Sequence, residues 1–230
     1  MSALVRMRLA GYLRTGRFLP PLISCLVVLT ILYGGGNAQA GEAYGVSAIV
    51  LFPVLAWQTK LLLDGEPDVQ RRLARVAVGS AAREITAGLV AALIVAVPVV
   101  VLALGLPWLE GGIRGPLYPT DPPLPSAIAA GVWAHVMVVP PALGLGAWAS
   151  RAVTGTFGKG AAVLVTGAVF ALVLGVRNSP AWWLAPPLLN SAHVAAHGFV
   201  ALPIAGFSAH AAVWSALVLG GYARLRRTSA

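Results

Sequence analysis

Charge is scarce in this sequence. Of 230 residues, 10% are Asp, Glu, Lys or Arg and 58% are hydrophobic, with a mean hydropathy of +0.83. A soluble domain carries about a quarter charged residues. So little polar material cannot hydrate the surface of a core this apolar, which excludes a water-soluble domain, and the same apolar weight excludes a disordered chain. Cysteine is nearly absent too: Cys25 is alone, inside an apolar run. That excludes an intrachain disulfide framework and any cysteine-based zinc or iron–sulfur centre. A phosphate-binding loop G-x-x-x-x-G-K-[ST] is missing, because Gly158-Lys159 is followed by Gly160, so the chain cannot hydrolyse ATP by itself. Ionisable residues deep inside the apolar runs are almost lacking. Lys60 and Glu84 lie near the ends of theirs, which leaves no string of carboxylates to carry protons or sodium and disfavours an ion-driven carrier.

What is present is a set of long apolar runs. A spanning helix needs about 20 mostly apolar residues, and the segments Phe18–Gly36, Tyr44–Leu63, Ile85–Leu106, Leu124–Ala149, Phe157–Val176 and Val200–Tyr222 meet that condition. The expectation is an all-α polytopic membrane protein with six transmembrane helices, built as a single domain over residues 1–230. The fifth run is the shortest and relies on Lys159 snorkelling to the interface. The tetrapeptide Asn37-Ala38-Gln39-Ala40 resembles a signal cleavage site, but the basic leader before Phe18 and the apolar run after it are long for a signal, so a retained span is expected.

The net charge of +9 would suit nucleic acid only if the basic residues gathered on one hydrated face. They are instead split between the gaps, so nucleic acid is not an expected partner. With the N-terminus inside, 14 of the 16 Lys and Arg residues fall in inner segments, leaving Arg114 and Arg177 outside. This asymmetry places both termini in the cytoplasm and the chain in the cytoplasmic (inner) membrane.

Three connecting segments carry patterns of their own. In the inner loop 64–83, Pro67 suits the first helical position, Glu66 and Asp68 suit the positive N-terminal end, and Gly79 suits the position just after the last turn. Val69, Leu73, Val76 and Ala77 share one face of that helix, with Gln70 beside them and Arg71, Arg72 and Arg75 opposite. Such a helix either lies on anionic headgroups or plugs into a soluble partner and passes the partner's motion to the adjoining spans. Residues 1–17 repeat the pattern more weakly: Val5, Leu9, Tyr12 and Leu13 fall on one side and Arg6, Arg14 and Arg17 on another, while Leu4, Met7 and Arg8 break the pattern, and Pro20-Pro21 turn the chain upward. Residues 177–199 are too long and too apolar for a solvated turn. Trp182 and Trp183 suit the interface, and Pro186-Pro187 divide the segment into two short pieces that can dip in and return.

Candidate chemistry is thin. His193 and His197 sit at i,i+4 but lack further ligands and the glutamate of a metalloprotease motif, so no metal is expected. His135 and His210 read as hydrogen-bonded interior groups. Gly206-Phe207-Ser208-Ala209-His210 lacks the final glycine of a nucleophile elbow, and Ser208 and His210 are about 200° apart on a helix.

This order of parts, with the run Trp57-Gln58-Thr59-Lys60-Leu61-Leu62-Leu63-Asp64-Gly65-Glu66-Pro67-Asp68-Val69-Gln70-Arg71-Arg72, resembles the permease subunit of ATP-binding-cassette exporters of the second export class (ABC-2), of actinobacterial type. The resemblance is architectural and covers nearly the whole chain. It implies an N-terminal interfacial helix over Leu4–Phe18, a cytoplasmic coupling helix over Pro67–Val78, and outer re-entrant helices over Ala181–His197. It also implies a second permease subunit, identical or sister, an ABC ATPase subunit dimer that supplies ATP and Mg, and membrane lipids around the whole. Export of a hydrophobic or amphiphilic substrate, such as a lipid, drug or modified peptide, follows from the same resemblance. The alternatives are a membrane-embedded enzyme acting on lipid or peptide, or a noncatalytic membrane partner subunit.

Overall fold

The computed structural model describes residues 1–176 and 179–228, without the side chains of Asp68 and Thr228. Arg177 and the Asp68 side chain, both invoked above, lie outside the described residues. The elements are α1 (Ser2–Arg14), α2 (Leu19–Gly34), β1 (Ala38–Gln39), α3 (Ala40–Leu63), α4 (Asp68–Val78), α5 (Ala81–Leu109) and β2 (Ile113–Arg114). They continue through α6 (Leu124–Trp148), α7 (Arg151–Thr154), α8 (Phe157–Leu174), a 3-10 turn (Trp182–Leu184), α9 (Leu188–Ala196) and α10 (Ala201–Thr228). Among the described residues the regular structure is helical apart from one tiny β pairing, and the chain is a polytopic membrane protein by the length and apolarity of its helices.

Among the described residues, five helical stretches are long and apolar enough to cross a membrane, and α1 with α2 makes a sixth if the pair counts as one span bent by 68°. Helix α2 alone has 16 residues, or about 24 Å at 1.5 Å per residue, less than the roughly 30 Å of hydrocarbon. The bend has local causes. Gly16 takes φ 67°, which an L side chain resists. Pro20 and Pro21 then fall in the first turn of α2, where the missing N–H costs nothing. The other spans match expectation to within a few residues, with α5 and α10 longer than their apolar runs. Pro53, Pro98, Pro107, Pro140 and Pro141 are all carried inside continuous helices.

Helix α3 is the centre of the bundle, packed along α6 and against α9, α5 and α2. Small residues make these approaches possible. A side chain at Gly131 of α6 would collide with the Tyr44 ring, and one at Gly146 would collide with the Ala56 carbonyl and Thr59. Gly41 and Gly45 of α3 similarly leave room for the backbone of α9 at Ala195 and Ala192. At the opposite end from α4, β1 and β2 pair in parallel, Ala38 with Ile113 and Gln39 with Arg114. The Gln39 side chain accepts the Glu42 N–H at 2.8 Å and caps α3. The tetrapeptide that resembles a cleavage site is thus built into this pairing and the first turn of α3.

Outward-facing apolar residues form a broad surface on the bundle, among them Ile31, Val97, Val101, Val165, Val173, Leu202 and Leu217. Such a surface is tolerable only in lipid or beneath another membrane subunit.

Candidate functional site

Helix α4 starts and stops for the reasons its sequence suggests, with one shift. Pro67 caps the helix rather than opening it, with ψ 151°, so Asp68 is the first helical residue. Gly79 ends it in the left-handed region at φ 69°, its N–H donating to the Val76 carbonyl at 3.1 Å. The two faces part as expected, and the structure shows which way each points. Ala74 is buried against the body of the protein, and Arg75 donates from Nη2 to the Arg226 carbonyl at 2.8 Å. The apolar face turns outward: Val69, Leu73 and Val76 are 69%, 66% and 79% exposed. Arg72 is exposed and Arg71 half-buried, while Gln70 donates to the Met7 sulfur at 3.7 Å. Three bulky aliphatic side chains in water are unfavourable by roughly 25 cal/mol per Å², so this face is built to be covered.

Behind α4 lies a charged platform that periodicity does not reveal. Arg8 of α1 donates from Nε and Nη2 to the two Glu66 carboxylate oxygens at 2.9 and 2.8 Å. The same Nη2 reaches Glu84 Oε1 at 2.5 Å, and Nη1 reaches the Glu84 carbonyl at 2.8 Å. Arg226 of α10 donates to the other Glu84 oxygen at 2.7 Å. All four side chains are buried. Burial works against the Arg8 charge, but the hydrogen bonds and attraction of Glu66 and Glu84 outweigh it and raise its pKa above the ordinary arginine value. Glu66 stands just before the N-terminus of α4, as its position in the sequence suggests, and both of its carboxylate oxygens accept from Arg8.

The buried face of α1 is also redrawn. Leu4, Val5, Arg8 and Tyr12 are inside, Leu9 is half-buried, and Leu13 is exposed together with Arg6 and Arg14. Arg8, which breaks the apolar stripe in the sequence, is the centre of this face because two carboxylates compensate it. Helix α1 ends at Arg14, so Arg17 belongs to the bend, where it donates to the Asp64 carbonyl at 2.8 Å.

A second cluster gathers on Asp64, just before α4. Lys60 donates to Asp64 Oδ2 at 2.6 Å, the Arg151 main-chain N–H to Oδ1 at 2.7 Å, and Arg151 Nη2 to the Asp64 carbonyl at 2.6 Å. Lys60 Nζ also sits 4.7 Å from the Phe157 ring centroid. Both clusters lie at one end of the bundle and join α1, the α3–α4 connection, α5, α7 and α10.

At the other end, residues 179–199 divide as expected into the 3-10 turn and α9, separated by Pro186-Pro187. They are tied to α10: the His210 Nε2–H donates to the Trp183 carbonyl at 3.2 Å, and Trp214 Nε1 donates to the Leu184 carbonyl at 2.7 Å. The Trp182 ring meets His210 edge-on at 5.3 Å. The His193 and His197 rings touch at 4.5 Å, and His197 Nδ1 donates to the His193 carbonyl at 2.7 Å. Among the described residues no three His, Cys, Asp or Glu side chains converge as a metal site. His135 is fully interior: Nδ1 donates to the Gly131 carbonyl at 2.9 Å, so in the neutral ring Nε2 accepts from Ser47 at 3.0 Å. Ser208 accepts from Trp133 Nε1 at 3.0 Å, and its hydroxyl is not paired with His210. Comparison with family models, with curated proteins and with solved structures gives no match.

Proposed function

We propose that the chain is the permease subunit of an ATP-driven ABC-2 exporter in the cytoplasmic membrane, both termini inside, with α4 as its coupling helix. The observation that carries this reading is the outward apolar face of Val69, Leu73 and Val76 on a helix whose other face is fastened through Arg75 to the end of α10. A helix merely resting on the membrane has no need of such anchorage. A helix that receives a push from a soluble subunit does, because force is passed on only through contacts that hold. In this reading α1 is the interfacial helix, and the turn and α9 form the outer re-entrant segment. ATP and Mg belong to the partner ATPase dimer. A second permease copy or sister would cover apolar surface on α8, most of which faces outward. The exported substrate is of hydrophobic or amphiphilic class, in keeping with the apolar spans. The enzyme alternative is weakened by Ser208 and His210 being committed to different partners.

The test is purification of the tagged chain from its native membrane in mild detergent. A nucleotide-hydrolysing subunit should come with the wild type and be lost with Leu73→Glu and Val76→Glu. Both variants should unfold at the wild-type temperature, since exposed substitutions typically change stability by within about 0.5 kcal/mol. An intact complex lacking such a subunit, or one indifferent to both substitutions, sinks the reading.

A further inference from the structure

Beside the Asp64 cluster is a cleft of about 190 Å³ lined by Arg17, Leu61, Asp64, Arg151 and Phe157. That is several times the roughly 30 Å³ share of one liquid water. Its charge is unbalanced. Lys60, Arg17 and Arg151 meet a single carboxylate, and that carboxylate is already taken by Lys60 Nζ and the Arg151 main-chain N–H. Arg17 and Arg151 each place one terminal nitrogen on the same Asp64 carbonyl. A guanidinium carries five N–H donors, so most donors of both remain available. The Arg151 side chain is 44% exposed. Two forks converging on one point with an excess of positive charge suit a tetrahedral oxyanion.

The position of the cleft selects the oxyanion's source. Arg17 precedes α2, Leu61 lies in the last turn of α3, Arg151 follows α6, and Phe157 opens α8. Four apolar helices therefore reach the same boundary here, at the level where headgroups begin. The exposed Phe157 and Leu61 offer an apolar exit for acyl chains.

We infer that the cleft between Arg17 and Arg151 binds the phosphate group of an anionic phospholipid. This stands independently of any transport role, and a free phosphate ion is the competing source of the same chemistry.

The full chain is reconstituted in nanodiscs of phosphatidylcholine containing phosphatidylglycerol, released into detergent, and the retained lipid is read by native mass spectrometry. Phosphatidylglycerol should be retained over phosphatidylcholine, and retention should fall about fivefold for Arg17→Gln and for Arg151→Gln. Arg83→Gln, an exposed arginine outside the cleft, should leave it unchanged. Arg151→Gln keeps the main-chain bond to Asp64, so folding is checked by its unfolding temperature in pure phosphatidylcholine. If a cleft variant fails to fold, the lysine substitution replaces it, with retention expected between wild type and zero. An equal loss in Arg83→Gln, or no loss in either cleft variant, overturns the proposal. So does stabilisation by inorganic phosphate with none by phosphatidylglycerol.

Discussion

Glu84 is the residue on which most depends. One carboxylate holds Arg8 and Arg226, residues 76 and 142 positions away, in a buried setting. Removing one member of a buried ion group leaves the remaining charges without compensation, at a typical cost of about 3–5 kcal/mol. Glu84→Ala is therefore expected to lower the unfolding temperature sharply in detergent. Glu84→Gln, which keeps the shape and one acceptor, should fall between it and the wild type, and a wild-type temperature for Glu84→Ala would show that the platform carries no stability. None of this was legible in the sequence. Arg8 reads as a flaw in an amphipathic stripe, Glu66 as a helix-end acid and Glu84 as a residue near a span end. Each is locally plausible, and only the fold reveals that they neutralise one another.

Helix α4 was legible as an element because everything that shapes it is local: a proline before, a glycine after, and apolar residues at helical spacing. The direction of its apolar face was not, since that depends on Arg75 finding a carbonyl in α10. The crossing of α3 with α9 was missed for a related reason. Gly41 and Gly45 lie four apart and leave room for another backbone, yet two glycines in an apolar run give no sign of which helix will use it. Gly45→Val should be costly, because a Cβ there would lie 2.8 Å from the Ala192 carbonyl oxygen and 3.1 Å from its Cα. Overpacking of this kind costs about 1–3 kcal/mol, and α9 should be released before the bundle unfolds. Limited proteolysis within residues 188–196 measures that release. Gly105→Val, where a Cβ meets nothing within 4 Å, is the control and should remain protected.

At the scale of the whole molecule, the spans were readable because hydropathy is a sum over neighbours, whereas the short α2 and its 68° bend arise from a glycine and two prolines acting together. The proposed orientation is open to single-cysteine labelling. Cys25 is buried at 1% exposure, so the native background should be low. A cysteine at Gln70 should react with a membrane-impermeant thiol reagent only after the inner face is opened, and one at Leu117 in intact cells. The reverse order would invert the molecule.

The engagement of Glu84 by Arg226 also bears on how the protein is made. Arg226 lies in α10 and is synthesised 142 residues after Glu84, which stands in the first turn of α5. Until α10 arrives, Glu84 has Arg8 as its only cationic partner from this platform, and one of its oxygens must stay wet. Completion of this buried ion group thus waits for α10, and both oxygens of Glu84 are compensated only once that helix has docked.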